Sequence, residues 1–480
     1  MSKKVFYFMN EQSYWIDIVK KLEKEKQWKP VLWVTNEVLQ PSIKEEFPLT
    51  KIIDLQNHRR GEYKVESVGL DQNIIEKYIL SEKNVLSMMN RMDPTRNNFS
   101  YQERLHLYYK MLSYWIKVFE DYKPDLVMFD EVPHVPFEYI MHEVACMNNI
   151  KIIRLNPIHI NNRFLLLGQI NKTPDYIRKR YLENINQDEI LLSDDMKQYY
   201  INLTKNYHDA EPIYMKKDVG LKKIKWFFSA INFVLFKKGN YSYFRVKNGY
   251  LNNAYFRKII NIYNIAKSIL FKQKLLRKYK SLVSYNVNLK SNYIYVPLHY
   301  QPERTSSPEA GIYNHQWLMI QLLSNIIPSD WILLVKEHRS QFNLRASGQM
   351  GRYIDYYNEL LEIDNVKLVP LEYNSFDLID NSKAIATITG TVGIESVVRG
   401  HPVLVFGNPW YQDCEGVFNI KYKKDLEDFF QKIDNITIDK HKVLAFFKTL
   451  DDCSLIADNI KKDIIENIFR LIDKWEIKIG

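Results

Sequence analysis

Cysteine is scarce in this 480-residue chain: Cys146, Cys414 and Cys453 lie far apart and form no CxxC pair. That argues against a disulfide framework and against a structural zinc site built on paired cysteines. No stretch of about 18 uninterrupted apolar residues occurs, so no membrane span is expected. The opening MSKKVFYFMNEQSYW has neither a long apolar core nor a small-residue cleavage site, which predicts that it is not a signal peptide. GxxxxGK[ST], HExxH and GxSxG are all missing, so P-loop, zincin and hydrolase-elbow chemistry have no support. No repeat at a fixed period is found. With 46% apolar and 26% charged residues the composition is that of a globular protein, which excludes wholesale disorder, collagen and coiled coil. The length favours two domains, and a soluble, cytoplasmic protein is the expectation.

Acidic residues are almost absent from one segment. Residues 216–280 hold seventeen Lys and Arg against one acid, Asp218. The segment carries +16 and the remainder −6, so the net charge of +10 belongs to one stretch of chain. This weakens any reading in which the whole protein binds nucleic acid. Within it, the apolar run Trp226–Phe236 is flanked by Lys222, Lys223, Lys225, Lys237 and Lys238. From Phe256, apolar residues recur at Ile259, Ile260, Tyr263, Ala266 and Leu270, with Arg257, Lys258, Lys267 and Lys272 beside them. Basic amphipathic helices with aromatics suit an anionic membrane interface; helices packed on a domain with a solvated basic face are the alternative.

Elsewhere, strands and helices alternate. Val5–Met9, Val31–Thr35, Ile52–Leu55, Asp125–Asp130 and Ile150–Leu155 are expected as strands, with helices over Arg104–Tyr122 and Phe137–Met147. Alternation resumes at strands Tyr293–Leu298, Trp331–Lys336, Val366–Leu368, Ala384–Thr387 and Val403–Phe406. Helices are expected between them at Ile312–Ile326, Tyr353–Leu361, Ser375–Asn381 and Val392–Arg399. This is the pattern of an α/β protein: two doubly wound, Rossmann-like domains facing a cleft, with a basic helical insert. The expected organisation is an N-terminal domain over 1–165, the insert over 166–290, a C-terminal domain over 291–424 and terminal helices over 425–480.

In open α/β sheets, ligands bind beyond the carboxyl ends of the strands, which selects four segments. At Thr387–Glu395, a strand gives way to a helix through Thr389, Gly390 and Thr391. Backbone N–H groups there favour a phosphate, the threonine hydroxyls add hydrogen bonds, and Glu395 is placed for a sugar hydroxyl. Lys336, Glu337 and His338 follow the apolar WILLV, where the imidazole can donate to a phosphate oxygen and the lysine adds charge. The loop from Gln301 to Pro308 puts Glu303, Arg304 and Thr305 at another strand end. Asp130, Glu131 and His134 gather two carboxylates and an imidazole, the groups that general acid–base or nucleophilic chemistry needs. Each segment also has a plain reading as a capped helix, strand exit or solvated turn. Arg59, Arg60 and His159 are weaker candidates.

Four segments, HYQPERTSSPEAGIYNHQ (299–316), LLVKEH (333–338), SFDLIDNSKAIATITGTVGIESVVRGHPVLVFGNPWY (375–411) and DLVMFDEVPH (125–134), together resemble one family. The chain is similar to bacterial capsule-polysaccharide biosynthesis glycosyltransferases related to retaining 3-deoxy-manno-octulosonate (Kdo) transferases. The resemblance covers most of the C-terminal domain and part of the N-terminal one. It implies a GT-B fold, a CMP-activated sugar held mainly by the C-terminal domain and an acceptor facing the N-terminal domain. It implies donor contacts from Gln301, Glu303, Lys336, Glu337, His338, Ser375, Thr389, Gly390, Thr391 and Glu395. The family's KEH is usually followed by proline; here the next residue is Arg339. The catalytic set expected is Asp130, Glu131 and His134. No metal or separate cofactor is expected, the CMP-sugar being a substrate with a good leaving group. Expected partners are that donor, a glycan or lipid-linked glycan acceptor and, through residues 216–280, an anionic membrane on the inner face of the cell; nucleic acid is not expected. A UDP- or GDP-sugar transferase, a nucleotide-sugar epimerase and a non-catalytic scaffold of polysaccharide assembly remain as alternatives.

Overall fold

A computed structural model describes residues 2–9, 12–59, 67–92, 99–158, 160–205, 254–343, 348–456 and 462–476. Arg60 and His159 lie outside the described residues, as do Trp226–Phe236 and most of the basic segment. The chain divides into two compact units. One comprises 1–89, 101–199 and 441–480, the other 90–100 and 200–440.

The first unit is built on β1 (Lys3–Phe8), β2 (Trp28–Thr35), β3 (Lys51–Asp54), β4 (Leu126–Phe129), β5 (Lys151–Pro157) and β6 (Arg163–Leu167). Its strand order is β6-β5-β4-β1-β2-β3, with a short strand Leu455–Ile456 beyond β6. The five strands β3-β2-β1-β4-β5 pair in parallel, β6 pairs antiparallel with β5, and the terminal strand pairs antiparallel with β6. β4 is an unbroken apolar LVMF, buried throughout, as a strand covered on both faces must be. The helix Tyr101–Tyr122 ends where Lys123 turns left-handed (φ 48°) and Pro124 cannot continue it. The helix Pro136–Met147 starts on a proline whose missing N–H is not needed at that position.

The second unit holds β7 (Tyr293–Pro297), β8 (Ile332–Lys336), β9 (Val366–Leu368), β10 (Ala384–Thr387), β11 (Val403–Val405) and β12 (Val417–Asn419). They are ordered β12-β11-β10-β7-β8-β9, all parallel. Both sheets are therefore doubly wound. Each reverses its strand order at one point, β1/β4 in the first and β7/β10 in the second.

The stretch after residue 165 differs in composition from its surroundings, yet its beginning is part of the first unit. β6 extends the sheet, and the helix Asp175–Ile185 follows. The C-terminal helices Lys440–Cys453 and Lys462–Glu476 also return to that unit. Arg163, almost fully buried, explains much of this. Its guanidinium meets Asp195 (2.9 and 3.0 Å), Ser193 (3.0 Å), Ser454 (2.9 Å) and Asp451 (2.8 Å). Asn184 donates to Thr449 and Asp452 nearby, and Lys21 and Lys26 pair with Glu466 and Asp473.

The helix Ala254–Leu282 closes the basic segment, and its last turns belong to the core of the second unit. Leu275 and Tyr279 are fully buried. Lys272, expected on a solvated or membrane-facing flank, is buried instead and donates to the Asn343 carbonyl at 3.0 Å. Burial lowers its pKa to about 8.

Replacing Arg163 with leucine leaves Asp451 and Asp195 without their buried cation. The substitution should cost about 3 kcal/mol in urea unfolding and expose the C-terminal helices to proteolysis first. Unchanged stability would show that the tail is held by other contacts.

Candidate functional site

The reversal point of the second sheet is closed by a residue the motif reading passed over. His299 follows β7, and its Nε2 lies 2.8 Å from Thr387 Oγ1 at the end of β10. The same nitrogen accepts the Thr389 N–H (3.4 Å), and the Gly390 N–H reaches Thr387 Oγ1 (3.3 Å). Two of the amides expected to face a phosphate are thus used internally. The Thr389 hydroxyl is used as well, donating to the Thr305 carbonyl at 2.7 Å. Gly390 has no space for a side chain, because a Cβ there would sit 3.0 Å from both His299 Nε2 and Thr387 Oγ1. Gly393 is tighter still, with a Cβ 2.3 Å from the Tyr411 hydroxyl, which itself donates to the Gly390 carbonyl.

Thr391 stands exposed at the start of the helix Val392–Val398, and its side chain bonds Glu395 one turn on. Burial raises the Glu395 carboxyl to about 7, against partial relief from the Thr391 hydrogen bond and Arg399. It can therefore hold or give up a proton near neutrality.

Lys336, Glu337 and His338 leave β8 together but do different work. Lys336 is buried and donates to the Tyr373 carbonyl and to Ser375 Oγ (3.1 Å), which joins two of the expected donor residues. Glu337 turns inward to Arg352, a residue no motif had marked. Arg352 places all five N–H bonds: two on the Glu337 carboxylate (2.8 and 3.2 Å), one on Gln301 Oε1 (2.7 Å), and one each on the carbonyls of Gly351 (2.9 Å) and His299 (3.1 Å). The carboxylate also accepts the His338 N–H (2.7 Å) and the Tyr357 hydroxyl (2.8 Å), filling its four acceptor positions. The guanidinium carbon lies over the Tyr356 ring, 4.6 Å from its centroid. Glu337 thus anchors the loop and offers nothing to a ligand. The Gln301 side chain is engaged in the same way, with Gln316, Asn314 and Arg352. Glu303 is exposed and accepts from the Thr305 hydroxyl (3.0 Å).

His338 is the residue this scaffold presents. Its Nδ1 accepts the Ser340 N–H at 3.1 Å, which puts the ring proton on Nε2. Burial, with Arg352, Lys336 and Arg339 nearby, lowers its pKa to about 4. The ring is therefore a neutral N–H donor at physiological pH. Arg339, standing where the resembling family has proline, opens a single turn Arg339–Phe342 capped by His338 itself.

In the first unit, Asp130 sits at the β1/β4 reversal point, its N–H on the Phe8 carbonyl (3.1 Å); burial, with the Asp130 charge adding to it, raises the Tyr14 phenol. His134 Nδ1 lies 2.9 Å from the Val132 carbonyl, so that nitrogen carries the proton and Nε2 is the acceptor. Glu131 and Glu138 lie 3.6 and 3.9 Å from Nδ1. Glu138, absent from the motif reading, is 2% exposed and accepts the His134 backbone N–H (3.3 Å). Its position in the first turn of Pro136–Met147 was the available signal. The structure thus gathers Asp130, Glu131 and His134 at one strand end, and the residues expected to contact a donor after β7, β8, β9 and β10.

Residues 304–439 match the family model described as capsule polysaccharide biosynthesis protein. No curated protein matches the chain. Among solved structures it is similar to the UDP-GlcNAc 2-epimerase of Methanocaldococcus jannaschii (13% identity, TM-score 0.24, 98% of this chain and 99% of that one). It is also similar to the UDP-GlcNAc 2-epimerase of Neisseria meningitidis bound to UDP-GlcNAc (12%, 0.24, 97% and 100%). A third is a glycosyltransferase from Rickettsia africae ESF-5 (10%, 0.25, 99% and 99%).

Because the Glu395 pKa rises on folding, the folded chain keeps a proton that the unfolded chain releases between pH 4.5 and about 7. Its contribution to stability therefore falls as pH rises through that window. Glu395→Gln should remove this fall and gain at most about 3 kcal/mol relative to the parent at pH 8. Melting temperatures of both proteins from pH 5 to 8 check it; parallel profiles would refute it.

Proposed function

We propose that this protein is a glycosyltransferase of surface-polysaccharide (capsule or lipopolysaccharide) biosynthesis. It moves a CMP-activated ulosonic acid, Kdo or a related nonulosonate, to a glycan acceptor with retention. One observation carries the reading: the family match over 304–439 spans the segment whose strand ends present His338, Ser375, Thr391 and Glu395. In this reading residues 291–424 form the donor domain and 1–165 the acceptor-side domain.

The chemistry follows from the groups presented. The CMP phosphate leaves with its negative charge, and a neutral His338 Nε2–H donates to it without needing a proton from solvent. Lys336 is held beside Ser375 and contributes positive potential. Glu395 exchanges hydrogen bonds with a hydroxyl of the donor. A carboxylate of the Asp130/Glu131 pair displaces CMP from the anomeric carbon, and the acceptor hydroxyl then displaces the carboxylate, so two inversions give net retention. His134 Nε2 takes the acceptor proton. A CMP-ulosonate carries its own good leaving group, so this route does not require a metal.

The same reading puts the protein on the cytoplasmic face of the cell membrane. No helix among the described residues is long and apolar enough to cross a membrane. The outer face of the helix Ala254–Leu282 exposes Tyr263 (63%) and Leu270 (66%) with Lys267, Lys274 and Arg277 around them. Aromatic and aliphatic groups set among cations suit the headgroup layer of anionic lipid.

Two measurements test these statements. Purified protein incubated with CMP-Kdo or a CMP-nonulosonate and an acceptor glycan should release CMP. His338→Ala and Glu131→Gln should each cut that rate by 10²-fold or more, at about 2.7 kcal/mol of transition-state stabilisation. Turnover of UDP- or GDP-sugars alone, epimerisation without transfer, or glycan production intact in Asp130→Asn, Glu131→Gln and His338→Ala strains would each replace this reading with another. Separately, vesicles containing phosphatidylserine should bind the protein in low salt and release it in high salt. Tyr263→Ser with Leu270→Ser should weaken that binding; unaltered binding would remove the helix from the interface.

A further inference from the structure

We propose that the helix Pro136–Met147 carries a transition-metal site of the zinc type, formed by His142, Glu143 and Cys146. The site is independent of the transferase reading. The chain has no paired cysteines, but the fold supplies a different donor set within a single helical turn.

The three side chains bring one nitrogen, one oxygen and one sulfur within 4.8 Å of one another. His142 Nδ1 lies 3.0 Å from Glu143 Oε1. Cys146 Sγ lies 3.7 Å from Nδ1 and 3.8 Å from Nε2, as the i,i+4 spacing on a helix favours. A tetrahedral zinc with Zn–S of about 2.3 Å and Zn–N or Zn–O of about 2.0–2.1 Å has S···N and N···O edges of about 3.6 and 3.4 Å. The observed separations differ from these by a few tenths of an ångström, within reach of small side-chain rotations. One ion fits with three protein ligands and a fourth position for water.

The surroundings orient the ligands. Tyr139 stacks on the His142 ring, centroids 6.0 Å apart and 13° from parallel, and its hydroxyl bonds the Glu143 carboxylate. Asn84 donates to the same hydroxyl at 2.9 Å. An Asn84–Tyr139–Glu143 relay behind a carboxylate ligand is the kind of outer support metal sites use. Glu143 and Cys146 are each partly exposed, whereas His142 is buried, so an ion has a path in and a rigid partner at its end. Thiolate with imidazole selects zinc or a similar first-row ion over magnesium or calcium. On binding, the Cys146 thiol gives its proton to solvent and the sulfur bonds the metal. The site lies one turn beyond Glu138, so an occupied site stiffens the helix that supports His134.

The test uses the full chain. After dialysis against Zn2+, one equivalent per chain should remain, measured by elemental mass spectrometry. Cobalt substitution should give a thiolate-to-metal charge-transfer band. His142→Ala and Cys146→Ser should lose at least about ten-fold in affinity, and Cys414→Ser should not. A second readout needs no variant: zinc should slow alkylation of Cys146 in the parent protein. No retained zinc, equal retention by all variants, or Cys146 alkylation indifferent to zinc would overturn the proposal.

Discussion

The ion pair of Glu337 and Arg352 holds the second unit's presentation of chemistry together. Both side chains are essentially without solvent exposure, at 0% and 1%. Breaking such a pair by removing one partner typically costs about 3–5 kcal/mol, because the remaining charge stays buried. Here every donor of the guanidinium and every acceptor position of the carboxylate is filled. The filling groups come from the loop after β7, from the start of the His338 loop and from Tyr357. A buried charge pair with every position satisfied rigidifies the segments it joins. That arrangement fixes the path of the chain after β7 and β8, and through His299 it reaches the end of β10.

His299 transmits the constraint across the reversal point of the sheet. Its carbonyl accepts from Arg352 and Gln316, and its ring meets Thr387 and Thr389. Burial lowers its pKa to about 3, so the ring remains neutral and Nε2 stays an acceptor. The close approach at Gly390 follows, since any side chain there would displace the imidazole. The first unit solves the same problem differently. There, β4 and β1 bring Asp130 beside the Phe8 carbonyl, and the buried Glu138 carboxylate holds the backbone of His134. Arg163, through Asp451 and Ser454, holds the helix Lys440–Cys453 to β6.

Much of the architecture was legible in the residue pattern. Apolar runs of four to six residues separated by amphipathic stretches placed five strands in each sheet, with helices between them. The missed strands were those with weak or late signals. β6 follows a turn rather than a helix, β12 is three residues long, and the terminal strand has two. Lys272 shows the limit of reading charge: a lysine in a basic run looked solvated, yet the helix rotates it into the unit and a backbone carbonyl satisfies it. Within the candidate site, spacing could mark polar residues at strand ends but not their direction. Glu337, Gln301 and Thr389 were grouped with His338, though all three point into the scaffold.

Strand and helix positions followed from periodicity, and the strand ends where polar residues gather followed from the rule that parallel sheets bind beyond their carboxyl ends; the order of the strands came from the fold. These are local consequences of residue type. Which of those side chains turn into the scaffold was decided by partners remote in the chain. Arg352 comes from fifteen residues past Glu337, His299 meets a threonine eighty-eight residues away, and Tyr279 accepts the Glu337 N–H across fifty-eight. A buried polar group must be matched, and the match depends on what the fold packs against it. With those pairings made, His338 stands half-buried at the end of β8 with its ring proton on Nε2.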